Sequence, residues 1–445
     1  MLDIKFIRKN LDRVKEGCLK KGVRVDIDEF LEIDRRRRET LQALEDMRAQ
    51  KNKANKEIQG AKSQREPRSL FPLRSAVAEL GSQREKNKII LKMRELDINS
   101  DRLTKTLKEL EEKFNNLMLQ IPNLPLADVP VGRDERDNVV LREVGEKPKF
   151  DFKPKDYLEI AENLDLIDVK RAAKVAGTRF GYIKREAALI EFALVNLAFE
   201  VLAKEKFIPI IPPVMLKAGM ARGMGYLEQA DQEEAYYLPK DDLYLVGTAE
   251  QSVGVMYAGE TIEEKELPKR YVAFSTCFRR EAGAYGKDTK GILRVHQFDK
   301  VEMFSFVKPE DSIKEHKFFL EMEEKLMQFL KIPYRVLNIC TGDLGRPAAA
   351  KYDIESWLPS ENRYRETHST SNCTDFQARR LNIRYRDSKT KKLEFVHTVN
   401  GTAFSQRPIL AMIENYQQKD GSVLVPEVLQ KYLNFKVIKW MKDKF

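Results

Sequence analysis

The sequence predicts an α+β protein, in which an N-terminal antiparallel helical hairpin precedes an antiparallel β-sheet flanked by helices. Residues 28–118 are highly charged and carry apolar side chains at spacings of three and four, which is typical of long amphipathic helices. From about residue 155 onward, strand-like runs and amphipathic helices occur without the regular βα alternation of a parallel sheet. Together these two patterns predict the fold class.

The hairpin pattern is clearest in its second half. Apolar residues there follow one another in steps that average about 3.5 residues, the coiled-coil period, and they are Ile89, Met93, Leu96, Leu103, Leu107, Leu110, Phe114 and Leu117. The first half repeats less cleanly, and REPRSLFPLRS (65–75) lies between the halves, with Pro67 and Pro72 as helix breakers. We therefore expect two long helices joined by a turn, within a domain of residues 1–118.

Positive charge is concentrated in this hairpin. The chain of 445 residues has 80 Lys and Arg against 70 Asp and Glu, a formal net charge of +10. Between Arg48 and Arg94, 13 Lys and Arg oppose 4 Asp and Glu, so most of the surplus lies in the distal half of the hairpin. A surface of one sign predicts a polyanionic partner, and the alternative is a solvated arm with no partner.

Other features indicate how the rest of the chain is organised. IPNLPLADVPVG (121–132) contains three prolines and predicts an extended linker, taken as residues 119–154, before a second domain of residues 155–445. No apolar run approaches the ~20 residues that cross a bilayer, and MLDIKFIRKN does not resemble a secretory signal. The four cysteines are scattered, which favours reduced thiols. We therefore expect a cytoplasmic protein with no membrane contact.

A long loop between two predicted strands is the first candidate for a functional site. Strand 270–278 leads into RREAGAYGKDTKG (279–291), and strand 300–306 returns. The arginines of this region suit an anionic ligand, because a guanidinium binds two oxygens at once and stays protonated. The chain has no Walker A loop and no Rossmann glycine fingerprint, so a nucleotide would have to bind on another scaffold.

Several motifs resemble those of class II aminoacyl-tRNA synthetases, and in detail those of bacterial-type seryl-tRNA synthetases. FRREAG (278–283) and RVHQFDKVE (294–302) resemble motif 2, and HTVNGTAFSQRPILAMIENYQQKDGSVLVPEVLQKYL (397–433) resembles motif 3. VGTAEQ (246–251) and STSNCTDFQARR (369–380) also resemble segments of this family, and all these motifs occur in the family's order along the chain. The resemblance therefore covers nearly the whole chain.

The resemblance implies ATP-dependent activation of L-serine to seryl-adenylate, followed by transfer of serine to the 3′-terminal adenosine of tRNA(Ser). It leaves open whether tRNA(Sec) is also charged. It further implies an antiparallel catalytic sheet of six or seven strands and a homodimer, with Pro213 as the marker of the dimer motif. The basic arm would bind the long variable arm of the tRNA by shape and backbone, and it would hold the tRNA over the active site of the other subunit.

The resemblance also implies roles for individual residues. Arg279, Glu281 and Arg407 are expected at the catalytic centre, with Arg279 bridging the serine carboxylate and the α-phosphate. Serine is expected to bind Thr248, Glu250, Arg279, Glu302, Asn400 and Thr402. ATP is expected to bind Arg279, Arg280, Glu281, Arg294, Val295, His296, Gln297, Phe298, Glu366, Thr367, His368, Ser369 and Arg407. Within this set, Glu366 and Ser369 are expected to hold Mg²⁺, while Phe298 and Arg407 cover the two faces of adenine.

Alternatives stay open at this point. Phe298 could belong to the core of the sheet, and Glu366 could be a solvated loop residue. A carrier-protein aminoacyl ligase on the same scaffold usually lacks the long basic arm. A non-catalytic RNA-binding paralogue would have lost one of Arg279, Glu281, Glu302 and Arg407, and this chain keeps all four. The chain departs from the family pattern at Thr402, among other positions, which bears on fine specificity. The enzymatic interpretation requires both arginines to face one cavity.

Overall fold

A computed structural model describes residues 1–63, 72–227, 233–282 and 290–440, with side chains described outside residues 57–86. The chain divides into two compact units: Val25–Gln120 forms one, and Met1–Arg24 together with Ile121–Phe445 forms the other. Residues 1–24, which the sequence analysis assigned to the hairpin domain, therefore pack within the larger unit. The tRNA-binding role assigned to residues 1–118 stays a prediction.

The described helices and strands are numbered in chain order. The helices are α1 (Ile4–Lys9), α2 (Leu11–Lys20), α3 (Ile27–Ser63), α4 (Pro72–Gln120), α5 (Tyr157–Asn163), α6 (Val169–Ala176), α7 (Arg185–Lys204), α8 (Ala218–Met224), α9 (Ala249–Gly254), α10 (Ser312–Leu330), α11 (Phe376–Leu381) and α12 (Arg407–Asn415). The strands are β1 (Val139–Val144), β2 (Ile167–Asp168), β3 (Tyr182–Ile183), β4 (Ile208–Ile210), β5 (Met215–Lys217), β6 (Tyr237–Leu238), β7 (Leu243–Leu245), β8 (Thr261–Glu263), β9 (Lys269–Phe278), β10 (Gln297–Val307), β11 (Tyr334–Asn338), β12 (Ala350–Leu358), β13 (Arg363–Thr374), β14 (Arg384–Arg386), β15 (Leu393–Phe395), β16 (His397–Ser405), β17 (Val423–Leu424) and β18 (Val437–Ile438).

The smaller unit is the predicted antiparallel hairpin of α3 and α4. The rings of Phe30 and Phe114 stack with their centroids 5.0 Å apart, and farther along the helices Lys51 pairs with Asp97. Lys51 comes after Phe30 on α3, whereas its partner Asp97 comes before Phe114 on α4. The two helices therefore run in opposite directions. Pro72 is the first residue of α4, where a proline costs no helical hydrogen bond, and Pro67 lies outside the described residues.

The larger unit is built on an eight-stranded sheet in the order β1-β11-β12-β13-β16-β10-β9-β4. Neighbouring strands are antiparallel, except β4 and β9, which are parallel. The predicted α+β class is therefore confirmed. The sheet is wider than the six or seven strands that the resemblance implied, and β1, which falls within the predicted linker, forms one of its edges.

Strand β10 shows how the sheet separates two layers of core. Val301 and Met303 lie in a cluster with apolar residues of α7, α10 and α12. Phe304 and Phe306 lie in a second cluster with residues of α8, α9 and α11. Because side chains alternate between the faces of a strand, helices cover both faces of the sheet at this point. None of the helices in the described ranges is both long and apolar enough to cross a membrane.

Candidate active site

Strand alternation builds the floor of one large cavity. Phe298, Lys300 and Glu302 are two residues apart on β10, so they share a face. All three line a cavity of about 670 Å³. Phe298 is partly buried and also packs against the core. It is therefore both a residue of the sheet's core and a residue of the cavity wall, the two alternatives that the sequence left open. Phe298 pairs with Cys277 of β9, two residues before Arg279.

The cavity brings together side chains that are far apart in the sequence. The predicted site residues that line it are Thr248, Glu250, Arg279, Glu281, Arg294, Val295, Phe298, Glu302, Glu366, Thr367, Ser369, Asn400, Thr402 and Arg407. Arg279 and Arg407 are among them, at the end of β9 and the beginning of α12. Both arginines therefore face the shared cavity that the enzymatic interpretation requires.

Four predicted residues do not belong to the described lining of this cavity. Arg280 and Gln297 are exposed, and the Arg280 guanidinium lies 5.7 Å from the ring centroid of Tyr236. His296 lies beside the cavity, with Nδ1 3.0 Å from the Arg279 carbonyl oxygen. His368 is buried with Nε2 3.1 Å from the Ala403 carbonyl oxygen.

The placement of His368 gives no support to an ATP contact. Burial lowers the pKa of His368 to about 3, so its imidazole is neutral near pH 7. Nδ1 lies 2.9 Å from the hydroxyl oxygen of Thr367, which itself lines the cavity. His368 therefore supports the strand that carries site residues, and the structure does not bring it to the cavity.

The arginines of the site are held by oxygen atoms of the cavity wall. Arg279 Nε donates to the Gly247 carbonyl oxygen at 3.0 Å, and its guanidinium lies 5.2 Å from the Phe298 ring centroid. Arg294 Nη1 lies 2.7 Å from Glu281 Oε2. Glu281 has φ of +52°, a left-handed conformation that a non-glycine residue adopts at a cost in energy. These contacts orient the cations before any ligand binds.

Arg407 and Glu366 form a further pair on the same wall. Arg407 Nη1 lies 3.3 Å from Glu366 Oε2 and donates to the Glu366 carbonyl oxygen at 3.0 Å. Burial acts to raise the pKa of Glu366, but the charges of Arg407, Lys351 and Arg279 outweigh it and hold the pKa well below its usual range. Glu366 is therefore an ionised carboxylate at neutral pH.

A β-bulge turns Glu366 toward the cavity. Glu366 and Ser369 are three residues apart on β13, and simple alternation would place them on opposite faces. Glu355 faces Glu366 while Ile354 faces His368, so Thr367 is the additional residue of a bulge. The bulge shifts the alternation by one, and both Glu366 and Ser369 line the cavity.

Glu366 and Ser369 are suitable oxygen donors for Mg²⁺. In the described part of the chain, no three His, Cys, Asp or Glu side chains gather as a complete metal site. Mg²⁺ usually takes one or two protein oxygens and completes its shell with water and substrate phosphates. One ionised carboxylate beside a hydroxyl fits an ion that enters with a phosphate ligand.

Another part of the cavity, which we call the acidic end, is lined by Glu250 and Glu302 and is closely hydrogen-bonded. Glu250 accepts hydrogen bonds from Tyr226 Oη at 2.8 Å, Asn400 Nδ2 at 2.9 Å and Gln377 Nε2 at 3.1 Å. Burial and the charge of Glu302 raise the pKa of Glu250 to about 7. A cationic ligand would stabilise the ionised form of this group.

Lys300 lies between the acidic residues at this end. Its Nζ is 2.5 Å from Glu302 Oε2 and 3.3 Å from the hydroxyl oxygen of Thr248. Thr248 caps α9, where its Oγ1 accepts a hydrogen bond from the Glu250 backbone N–H at 3.4 Å. Because Glu250 and Glu302 share one lysine, a cationic ligand would add to the charge balance here and favour the ionised form of Glu250.

Family models match both parts of the chain. Residues 1–125 match the seryl-tRNA synthetase N-terminal domain, and residues 236–416 match the tRNA synthetase class II core domain (G, H, P, S and T). The serine–tRNA ligase of Thermodesulfovibrio yellowstonii is 41% identical over 440 residues, which cover 99% of this chain and 100% of the relative. The chain belongs to the seryl-tRNA synthetase family.

Further members of the seryl-tRNA synthetase family agree over the full length. The serine–tRNA ligase of Corynebacterium kroppenstedtii is 43% identical, with 99% of this chain and 100% of the relative covered. The structure of seryl-tRNA synthetase from Pyrococcus horikoshii complexed with ATP superposes with a TM-score of 0.87 at 40% identity, over 98% of this chain and 99% of that one. The structure of the cytoplasmic serine–tRNA ligase of Naegleria fowleri in complex with AMP superposes with a TM-score of 0.84 at 31% sequence identity. The superposition covers 100% of this chain and 99% of that one.

Several residues in or behind this cavity were not identified from the sequence. Lys300 could have been found, because it lies midway between Phe298 and Glu302 on an alternating strand. Tyr226 and Gln377 both donate to Glu250, but they are distant from it in sequence and follow no pattern that marks them. Lys351, which also lines the cavity, carries no local signal either.

Proposed function

We propose that this chain is a serine–tRNA ligase, which activates L-serine with ATP and transfers it to tRNA(Ser). In the first step, a serine carboxylate oxygen bonds to the α-phosphorus of ATP while the bond to pyrophosphate breaks. In the second step, a hydroxyl of the 3′-terminal adenosine of the tRNA attacks the carbonyl carbon and AMP leaves. The observation that carries this proposal is the shared cavity of Arg279 and Arg407, with Glu250 and Glu302 at its acidic end.

Charge complementarity supports the first step. Both reactants are anionic at the reacting atoms, so catalysis consists mainly of positioning and charge neutralisation. Arg279 lies between Gly247 and the Phe298 ring, from where it would bridge the serine carboxylate and the α-phosphate. Arg407 would bind the outer phosphates of ATP with its guanidinium, which now contacts Glu366. Both guanidiniums remain charged throughout the reaction.

The acidic end of the cavity suits the other groups of serine. Glu302 and Glu250 would receive the ammonium, and Thr248, Asn400 and Thr402 would surround the hydroxyl. A site that hydrogen-bonds a substrate hydroxyl rejects an analogue without it by about 10⁴–10⁵, because buried polar groups lose their partners. Alanine and glycine would be excluded in this way.

ATP and Mg²⁺ are proposed to share the arginine-rich end. The related Pyrococcus horikoshii and Naegleria fowleri structures are described as complexes with ATP and AMP. Phe298 would lie against the adenine, while Glu281 and the backbone near Val295 would contact its edge. Glu366 and Ser369 would hold Mg²⁺, whose charge helps to neutralise the phosphates. Arg280 and His296 would reach ATP only from the margin of the cavity.

The hairpin is proposed as the tRNA-binding arm. Basic residues between positions 48 and 94 whose described side chains are exposed are Arg48, Lys53, Lys56, Lys88, Lys92 and Arg94. A basic helical surface suits the phosphates and 2′-hydroxyls of A-form RNA, which are more accessible than its base edges. In functional terms we propose residues 1–118 as the arm, 119–154 as the linker and 155–445 as the catalytic domain, with residues 1–24 structurally part of the larger unit.

A homodimer is proposed through α7 and the chain that follows it. Phe192 on α7 is 61% exposed and Ile211, just after β4, is 82% exposed. Leu189 and Ile208 are also exposed, and β4 is the last strand of the sheet at this edge. Exposed apolar groups beside a sheet edge mark a surface that a partner usually covers.

We also propose a cytoplasmic location, in keeping with four free, buried cysteines.

An exchange assay with each of the twenty amino acids tests the proposed function. Serine alone should support the exchange of pyrophosphate into ATP, and charging should follow with tRNA(Ser) transcripts. A tRNA(Sec) transcript in the same assay decides whether that tRNA is also a substrate. Exchange with another amino acid, or with none, would refute the assignment. Exchange with serine but no charging of tRNA would favour a carrier-protein ligase.

A further inference from the structure

A buried lysine of the N-terminal segment holds one wall of the cavity. Lys21 follows α2 and is only 7% exposed. Its Nζ lies near four backbone carbonyl oxygens, those of Asn123 at 3.2 Å, Gly345 at 2.8 Å, Arg346 at 3.3 Å and Ala348 at 2.7 Å. Burial lowers the pKa of Lys21 to about 7, and the surrounding carbonyl oxygens favour the protonated form, whose three N–H donors they would all use.

The caged segment belongs to the cavity. Gly345, Pro347 and Ala348 line it, and the Pro347 ring packs against Gly225, where an added Cβ would lie 3.3 Å from Pro347 Cγ. The next residue, Tyr226, donates to Glu250. The carbonyl cage of Lys21 therefore lies behind the wall that supports the acidic end of the site.

Asn123, whose carbonyl oxygen Lys21 contacts, holds the same wall through its own N–H groups. Its Nδ2 donates to the Pro347 carbonyl oxygen at 2.9 Å and to the Cys373 carbonyl oxygen at 2.8 Å, and its backbone N–H donates to the Arg346 carbonyl oxygen at 3.0 Å. Cys373 also lines the cavity. Buried carbonyl groups need such donors, because leaving them unpaired costs free energy.

We propose that Lys21 and Asn123 are positioning residues for serine, which hold the segment 345–348 as a wall of the amino-acid site. The inference rests on the proposed function. Lys21 and Asn123 flank the hairpin in sequence, since the chain leaves the larger unit after Arg24 and returns at Ile121. The N-terminal segment, by this inference, serves the binding of serine as well as leading into the arm.

Replacing Lys21 with methionine tests the inference, because it removes the donors and keeps the length of the side chain. In the serine-dependent exchange assay, Lys21→Met should raise the KM for serine about tenfold or more, as expected for losing a charged hydrogen-bond donor. The KM for ATP should stay within about twofold, because the contacts of this wall lead through Gly225 and Tyr226 to Glu250. Lys21→Arg should recover part of the loss.

Lys20 provides the matched control. It is the neighbouring lysine, and its Nζ forms a surface ion pair with Glu16 at 2.7 Å. Lys20→Met should leave both KM values unchanged, because surface pairs contribute little. Asn123→Ser, a smaller change on the same wall, should also raise the KM for serine and leave the KM for ATP nearly unchanged.

The outcomes separate the two proposals. Equal rises in both KM values, no rise in either, or failure of both Lys21→Met and Asn123→Ser to fold would overturn the positioning role. If Lys21→Met alone fails to fold, Asn123→Ser decides. Absence of serine-dependent exchange in the unchanged protein would instead refute the proposed function.

Discussion

Replacing Glu302 with glutamine tests the acidic end of the cavity. Glu302 is 1% exposed, and its ion-pair partner Lys300 has a side chain that is 12% exposed. Glutamine keeps the size of the side chain but removes the charge. Two consequences should follow, one for stability and one for serine binding, and they can be measured separately.

The magnitude for stability follows from the burial of the pair. Removing one partner leaves Lys300 as a buried cation without its carboxylate, which costs about 3–5 kcal/mol in comparable buried pairs. The magnitude for binding follows from the loss of a charged hydrogen bond to the serine ammonium, worth about 1.5–3 kcal/mol. That loss corresponds to a decrease of about 10- to 150-fold in kcat/KM for serine.

A double variant separates the two consequences. Adding Lys300→Met to Glu302→Gln removes the unpaired cation, so denaturant unfolding should recover much of the lost stability. The kcat/KM for serine in pyrophosphate exchange should stay low, because the ammonium still lacks its carboxylate. Recovery of serine kcat/KM in the double variant would refute the role of Glu302 as an ammonium partner and would assign the defect to misfolding.

Three further outcomes are expected. Deleting residues 35–110 should leave serine-dependent exchange intact and abolish tRNA charging, and equal loss of both activities in a folded deletion variant would contradict separate roles for the arm and the catalytic domain. The affinity of the intact chain for tRNA should fall steeply as the salt concentration rises. Because burial and the charge of Glu302 raise the pKa of Glu250 to about 7, the contribution of Glu250 to stability should be full below its ordinary pKa of 4.5 and lost as the pH rises through about 7. Over that same rise, kcat/KM for serine should increase as Glu250 ionises, and a pH profile of Glu250→Gln that keeps the increase would exclude this group as its source. Thr402→Ser should raise the relative exchange activity with threonine by about tenfold, since about 1–3 kcal/mol is the usual value of one methyl group in a pocket, and unchanged discrimination would mean that Thr402 does not limit the space.

Periodic patterns predicted the regular elements well. The predicted strands 270–278 and 300–306 are observed as Lys269–Phe278 and Gln297–Val307. These elements are read from local spacing, because each buries one face against its neighbours. The family resemblance, rather than spacing, assigned Phe298 and Glu302 to the site, and the lysine between them was not recognised.

Features that depend on strand pairing could not be predicted in this way. The bulge at Thr367 arises from the pairing of β12 with β13, and no residue type in the sequence marks it. The contacts of Tyr226 with Glu250 and of Lys21 with residues 345–348 join segments that are remote in the chain. Such contacts depend on how several elements pack, and a single sequence does not specify the distances between them.

The sequence by itself determined the α+β class, the basic hairpin, the family and most of the side chains that meet in the cavity, because periodicity and motif order are local properties of the chain. Only the tertiary structure decided that Glu366 and Ser369 both line the cavity, that His368 does not, and that residues 1–24 pack within the larger unit. Those three outcomes depend on strand register and on long-range packing, where one additional residue in a strand reverses the face of every side chain beyond it.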